Sequence, residues 1–387
     1  MRISLLAKVI AIVLLAMPVS AQTLQLGARA AVVVDFETGT TLLERNADTP
    51  LPPASMSKLM TLLMVFEALD EGRLTMSQRL PVSEAAMAYG GSTMFLDTTD
   101  RVTVEDLIRG VIVLSGNDAC VVLAEALSPD GTEAGFARLM TERARQIGMT
   151  NSTFVNSNGW PAAGHRMSVR DLAILTERLI KEFPQYYPMF AETEFKFDGR
   201  APANSRNRNP LLGLGIGADG LKTGHTEEAG FGLVGSAVQG GRRVIFVLTG
   251  MDSAAERALE SEKVVNWSYR QFLERKVANA GTVLAQAEVW MGSAGTVGLV
   301  APEDIQVLLP IPLPDQLGAR VEYSGPVQAP IKKGQELGTL VIPRSGIEDF
   351  RAPLVADRDV GLAGFLPRMR TSTEVLLRSL NEGAAAQ

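Results

Sequence analysis

Pro53-Ala54-Ser55-Met56-Ser57-Lys58-Leu59-Met60-Thr61 carries the chain from a proline break into a helix. Beyond it Leu59, Leu62, Leu63, Phe66 and Leu69 recur at the spacing of one helical face, which predicts a helix over Ser55–Leu69. Ser55 and Lys58, three residues apart, share one side of that helix. A serine hydroxyl is a weak nucleophile until a base takes its proton. A lysine can be that base when burial or a cationic neighbour lowers its pKa. On its own the pair is also compatible with a capping serine followed by a surface lysine, so the rest of the chain has to decide.

On the N-terminal side, Ala31–Asp35 is apolar and β-branched, Glu37–Thr40 turns, and Thr41–Glu44 returns, which predicts a β-hairpin. On the C-terminal side, helices are expected over Val104–Leu114 and Ala119–Leu127. They are separated by the tight turn Ser115-Gly116-Asn117-Asp118, where Asp118 could cap the second helix. Amphipathic helices follow over Phe136–Ile147 and Val169–Ile180. A short strand, Gly220–Gly224, carries Lys222-Thr223-Gly224. Phe231–Val238 and Arg243–Leu248 flank a glycine turn, and Glu256–Glu274 closes the unit as a helix. Hairpin, helices, strands, helix is an α+β arrangement with the helices clustered together. From about residue 280 short apolar runs (Val297–Val300, Ile305–Leu309, Arg320–Tyr323, Leu337–Ile342) are split by Gly and Pro, as in a small all-β domain.

The two ends read differently. Arg2 and Lys8, an apolar run over Val9–Met17 and the small residues Val19-Ser20-Ala21 predict a secretory signal peptide cleaved after Ala21. Leu362–Leu380 places Leu362, Phe365, Leu366, Met369, Leu376, Leu377 and Leu380 on one helical face, with Arg368, Arg370 and Arg378 off it and Pro367 within it. The expected domains are therefore 1–21 as signal, 22–278 as α+β unit, 279–357 as β-rich domain and 358–387 as amphipathic tail.

The 387 residues carry a net charge of -6, one cysteine and two histidines. The acidic balance argues against a nucleic-acid partner. A lone cysteine excludes an intramolecular disulfide, and two histidines exclude a His-rich zinc site, so neither metal nor cofactor is expected.

Three motifs occur in order: Ser55-x-x-Lys58, Ser115-x-Asn117 and Lys222-Thr223-Gly224. Together they resemble the penicillin-recognising serine enzymes. Leu114-Ser115-Gly116-Asn117-Asp118-Ala119-Cys120, Asn207-Arg208-Asn209-Pro210 and Asp219-Gly220-Leu221-Lys222-Thr223-Gly224-His225-Thr226 are similar to the low-molecular-mass D-alanyl-D-alanine carboxypeptidases, with the strongest likeness over residues 26–270. The resemblance implies a transpeptidase/β-lactamase-like domain followed by a β-rich domain and a terminal helix. It also implies a mechanism in which Ser55 attacks the bond between two terminal D-alanines of a peptidoglycan stem peptide and Lys58 takes its proton. Ser115 and Lys222 then protonate the leaving group, the backbone N–H groups of Ser55 and His225 form the oxyanion hole, and Asn117 holds a substrate amide. β-Lactam antibiotics would acylate the same serine. It further implies a periplasmic enzyme attached peripherally to the inner membrane by its C-terminal helix. A D,D-endopeptidase, a β-lactamase and a non-catalytic penicillin-binding scaffold are the alternative readings.

Some residues can be weighed on chemistry alone. A free terminal carboxylate asks for the planar donor fork of arginine. Arg257 at the head of the closing helix and Arg208 before the Lys-Thr-Gly strand are the candidates, with an ion pair to Glu256 or Glu260 as the alternative for Arg257. Thr223 can add a hydroxyl, and Gly224 would let a ligand approach the strand. His225 is expected to shape the pocket. His165 is expected near the site or in a structural role, Cys120 as a buried small hydrophobe, and Lys263 and Trp267 as structural.

Overall fold

The computed structural model describes residues 24–200, 204–314 and 316–364. The expected signal peptide and all of the expected tail beyond residue 364 lie outside them. The elements are β1 (Ala30–Asp35), β2 (Thr41–Arg45), α1 (Lys58–Asp70), β3 (Arg79–Pro81), α2 (Glu84–Met87), β4 (Arg101–Thr103), α3 (Val104–Arg109), α4 (Asn117–Leu127), α5 (Glu133–Gln146) and α6 (Val169–Glu182). The chain then forms β5 (Ala218–Thr226), β6 (Gly230–Gln239), β7 (Arg242–Met251) and α7 (Ala254–Arg270). The five long strands make one antiparallel sheet in the order β2-β1-β7-β6-β5.

Strand periodicity sorts this sheet's two faces. Val32, Leu221, Val234, Ile245 and Val247 join the core built by α1, α4, α5 and α6. Val33, Leu233, Val244, Phe246 and Leu248 face the other way, onto Val264 and Val265 of α7. The α+β unit is thus three layers, and β5 is an edge of the sheet, which leaves one side of its backbone for the helical layer and the cleft.

Several expected boundaries shift. The Ser55 helix begins as a 3-10 turn, Ala54–Ser57, and becomes α-helical only at Lys58. The helix expected over Val104–Leu114 is α-helical to Arg109 and continues as a π turn, Gly110–Leu114. The closing helix stops at Arg270, because Phe272–Ala278 is a strand, β8, paired with β11 (Ile305–Pro310).

The remaining strands are β9 (Val283–Trp290), β10 (Thr296–Val300), β12 (Arg320–Tyr323), β13 (Val327–Gln328), β14 (Glu336–Ile342) and β15 (Phe350–Ala356), in a six-stranded sheet ordered β12-β14-β15-β10-β9-β13. The chain after β15 stays with this domain. Val360 bridges Ile331, Leu362 bridges Gly292, and Ala363 donates its N–H to Met291 O. Leu362, expected to begin the amphipathic helix, is therefore extended and pinned to the β domain.

Candidate active site

Ser55 sits in the 3-10 turn, so Lys58, one turn later, directs its side chain back beneath it. The ammonium is completely buried. Nζ lies 3.0 Å from Ser55 Oγ, 2.7 Å from Asn117 Oδ1 and 2.6 Å from the Asn158 carbonyl. The last two partners are pure acceptors and fix two N–H groups, so when the amine is neutral its remaining position, a lone pair, faces Ser55. Burial is the main cause that lowers the Lys58 pKa to about 8, with the Arg208 charge adding to it. The cationic neighbour that lowers it is thus Arg208.

The second motif is held by backbone strain. Ser115 ends the π turn in the left-handed region (φ 62°, ψ 35°), which non-glycine residues seldom adopt. Gly116 N–H bonding to Gly110 O locks the turn. This conformation aims Ser115 Oγ at Lys222, whose Nζ donates to it at 3.0 Å. Asp118 does not cap α4. Its carboxylate accepts the N–H groups of Met94, Leu96 and Ala119 and so ties the 94–96 loop to the motif. Asn117 lies on the first turn of α4, with Nδ2 donating to Gly90 O at 2.8 Å. Both ends of its amide are engaged within the chain and the residue is buried, so here it orients Lys58, and one N–H and one Oδ1 lone pair remain for a substrate amide.

The third motif runs along the edge strand β5. Lys222 is buried, and desolvation first, then Arg208 and Lys58, holds its pKa well below the usual lysine value. Gly224 lines the cavity and also meets the turn that carries Ser55. A Cβ there would come 3.0 Å from Pro53 O and 3.2 Å from Ala54 Cβ, so the absent side chain lets the Ser55 turn itself pack on the strand. His225 is exposed and stacks on Phe231 with ring centroids 3.8 Å apart.

Ser55, Ser115, Thr223, Gly224, His225, Arg208 and Arg257 line one cavity of about 440 Å³. Arg257 does not pair with either glutamate. Glu260 accepts from Gly27 N–H and Glu256 from Asp252 N–H. The Arg257 guanidinium is buried over the Phe231 ring, donates only weakly to Arg208 O at 3.3 Å, and leaves Nε without a partner among the described residues. Arg208 is tied by donation to Ser92 Oγ and Leu114 O. Two guanidinium groups on one cavity wall, with no carboxylate between them, favour an anion there.

His165 is structural. Its Nδ1 accepts the Val155 N–H, which places the ring proton on Nε2, and that N–H donates to Ser57 Oγ at 2.8 Å. Burial drives its pKa down to about 4. The Cys120 thiol, fully buried, is pushed up to about 12 and is an inert packing group. Lys263 caps Gln25 O, and Trp267 packs edge-on against Phe272. Among the described residues no group of His, Cys, Asp or Glu could hold a metal ion.

Sequence reasoning missed the loop that carries Asn158. Glu133 at the head of α5 holds it, accepting from Ser157 N, Ser157 Oγ and Asn158 Nδ2, while Tyr89 Oη donates to the other carboxylate oxygen. Gly159, at φ 82°, passes so close to the nucleophile's turn that a Cβ would fall 1.9 Å from Ala54 O. The run Asn156-Ser157-Asn158-Gly159 does announce a turn. The group Lys58 uses there is a backbone carbonyl, which no residue type advertises.

A Ser–Lys pair buried under a Ser-x-Asn turn and walled by a Lys-Thr-Gly edge strand defines an acyl-transfer site of the penicillin-recognising class. Residues 17–253 match the family described as D-alanyl-D-alanine carboxypeptidase, and residues 272–361 match the C-terminal domain of penicillin-binding protein 5. D-alanyl-D-alanine carboxypeptidase DacC of Escherichia coli (strain K12) is 37% identical over 351 residues, 88% of this chain and 86% of its own. The solved structure of penicillin-binding protein 5 from Haemophilus influenzae is 35% identical, covers 87% of this chain and 98% of its own, and superposes with a TM-score of 0.74. Penicillin-binding protein D2 from Listeria monocytogenes, solved in an ampicillin-bound form, is 33% identical over 64% of this chain and 99% of its own, with a TM-score of 0.57. The chain belongs to the D-alanyl-D-alanine carboxypeptidase family of low-molecular-mass penicillin-binding proteins. Its activity is that class of hydrolysis, and its architecture is a penicillin-binding domain followed by an all-β domain.

Proposed function

We propose that Ser55 Oγ attacks the carbonyl carbon between the last two D-alanines of a peptidoglycan stem peptide, with neutral Lys58 taking the hydroxyl proton. The tetrahedral oxyanion is held by the backbone N–H groups of Ser55 and His225. Collapse breaks the C–N bond, and the leaving amine of D-alanine takes its proton through Ser115, hydrogen-bonded to Lys222. Water then hydrolyses the ester on Ser55 and regenerates the enzyme. Arg257, with Arg208 and the Thr223 hydroxyl, receives the terminal carboxylate. The observation that carries this reading is the buried Lys58 Nζ, 3.0 Å from Ser55 Oγ and held by two further acceptors.

A β-lactam presents an amide carbonyl, here in a strained ring, and a nearby carboxylate, so acylation of Ser55 follows from the same chemistry. The ampicillin-bound state of the Listeria relative supports it. The test is D-alanine release from a pentapeptide and covalent labelling by a fluorescent penicillin. Wild type should do both and Ser55→Ala neither. Label retained on a folded Ser55→Ala protein would sink the assignment.

We also infer export to the periplasm and peripheral attachment to the inner membrane. The support is the sequence alone: the charged and apolar N-terminus, and the leucine face with flanking arginines after residue 364.

A further inference from the structure

Lys222 can serve the leaving group only if β5 holds it against Ser115, and β5 is an edge strand with β6 as its one neighbour in the sheet. The register of β5 is set just before the motif. Ala218 pairs with Ala237 and Gly220 with Ser236, so Asp219 is the extra residue of a β-bulge. A bulge re-aims the side chains that follow it. Side chains alternate along a strand, so a slip of one residue there would turn Lys222 away from Ser115.

The bulge is pinned from three directions. From β7, Arg243 Nη1 donates to Asp219 Oδ1 at 2.9 Å and lies 2.8 Å from Oδ2. The same Nη1 donates at 2.6 Å to the hydroxyl of Ser236, the residue opposite Gly220, so one guanidinium ties β7, β6 and β5 together. From the 3-10 turn Tyr187–Ala191, the buried Tyr187 Oη donates to Asp219 Oδ1 at 2.9 Å. From the loop that carries Arg208, the buried Asn209 donates Nδ2 to Gly220 O at 2.9 Å. Gly220 makes this fit, since an added Cβ would come 3.0 Å from Tyr187 Oη and 3.3 Å from Phe190 Cβ. The Arg243 guanidinium also lies over the Tyr187 ring, 5.1 Å from its centroid. Arg243 and Asp219 expose 17% and 28% of their side chains, so the pair is largely shielded from water, and losing one partner leaves the other charge uncompensated.

Asp219, Tyr187 and Arg243 do not line the cavity. We propose that Asp219 is a positioning residue for proton delivery: by pinning the bulge it sets the 3.0 Å contact of Lys222 Nζ with Ser115 Oγ, through which the leaving amine takes its proton. This deepens the Ser115–Lys222 path given above and rests on it. Proton delivery matters most for a poor leaving group. An amide nitrogen must be protonated as the C–N bond breaks, whereas the alkoxide of an ester leaves with less help. A cluster that served the fold alone would affect both bonds alike.

The test compares full-length variants on two substrates that share one acyl group, a peptide ending in D-Ala-D-Ala and the matching ester ending in D-Ala-D-lactate. The quantity read is kcat/KM, which reports acylation. Asp219→Ala should lower it about tenfold on the amide and less than about threefold on the ester. Asp219→Asn keeps one acceptor in nearly the same shape, so its loss on the amide should fall between wild type and Asp219→Ala. It also carries the test if Asp219→Ala does not fold. Ser115→Ala is the reference and should show the same split more strongly. Equal losses on amide and ester in the Asp219 variants, or an unchanged rate on the amide, would overturn the proposal and leave the cluster as a support of the fold. A split in Ser115→Ala without one in the Asp219 variants sinks the positioning role alone. No split in Ser115→Ala means that the proton path itself fails, and the role of Asp219 in it fails too.

Discussion

At the residue scale the site depends on two buried lysines that the protein keeps short of charge. Lys58 must be neutral to act as a base, and its pKa is near 8 because its ammonium is buried and Arg208 adds positive potential. The rate of Ser55 acylation should therefore rise between pH 6 and 9 with a midpoint at about 8. Removing the Arg208 charge removes a cause that lowers the pKa, so Arg208→Gln should move that midpoint upward. A flat profile, or a midpoint that Arg208→Gln moves down, would show that Lys58 is not the titrating base. Arg257 gives a separate prediction. Losing a charge-assisted bond in a desolvated cavity costs about 1.5–3 kcal/mol, roughly ten- to a hundredfold in rate. Arg257→Ala should reduce kcat/KM by that factor for peptides ending in a free carboxylate, and much less for amide-capped analogues. Equal losses on both would assign Arg257 to the fold. Both arginines were legible in the sequence because carboxylate recognition demands their chemistry. Their lack of an acidic partner was not, because Glu256 and Glu260 are both near Arg257 in sequence and only the packed helix shows that they bond elsewhere.

At the scale of the element, the site is a set of irregularities in otherwise ordinary pieces. The 3-10 turn before α1, the π turn before Ser115 and the Asn158 loop each depart from regular structure where a catalytic group must be aimed. Periodicity found the helices but could not find these departures, since a 3-10 or π turn keeps nearly the same apolar pattern. Gly224 shows the same limit: its presence was readable, but the partner that demands it, the Ser55 turn, lies far away in sequence. Glu133 tests the importance of such placement. Its carboxylate accepts four bonds from three residues, and it never meets the cavity. Glu133→Ala should cost about 2–4 kcal/mol by leaving those donors unpaired, and thermal unfolding would read it. Because Asn158 O then loses its fixed distance to Lys58, kcat should fall more than KM changes. A lower Tm with unchanged kcat would mean that the loop supports the fold without placing the base.

At the scale of the whole molecule, the β domain is built into the catalytic unit. Phe272 and Leu308 of the β8–β11 pair belong to the same buried cluster as Val264, Val265 and the outer face of the main sheet. Arg344, itself nearly buried, donates to Leu308 O and Glu348 O and reaches Thr40 Oγ1 in the N-terminal hairpin. The short apolar runs made the domain's existence legible, but its beginning was hidden because Phe272-Leu273 continues the apolar rhythm of the helix before it. Its end was hidden for the same reason: Leu362 fits the leucine face of the tail, yet it bridges Gly292, while Val360 and Ala363 complete the β domain. This relocates the test of membrane attachment. Removing the chain from residue 358 would strip pairing from the β domain and confuse loss of anchoring with loss of fold. Deleting residues 365–387 leaves those bridges and removes Leu366, Met369, Leu376, Leu377 and Leu380 with Arg368, Arg370 and Arg378. If that stretch lies in an anionic leaflet, the shortened protein should move from the membrane fraction to the soluble periplasmic fraction. Its Tm and its D-alanine release from a soluble peptide should match wild type, because no described contact is lost. Identical fractionation of the two proteins would defeat the anchor.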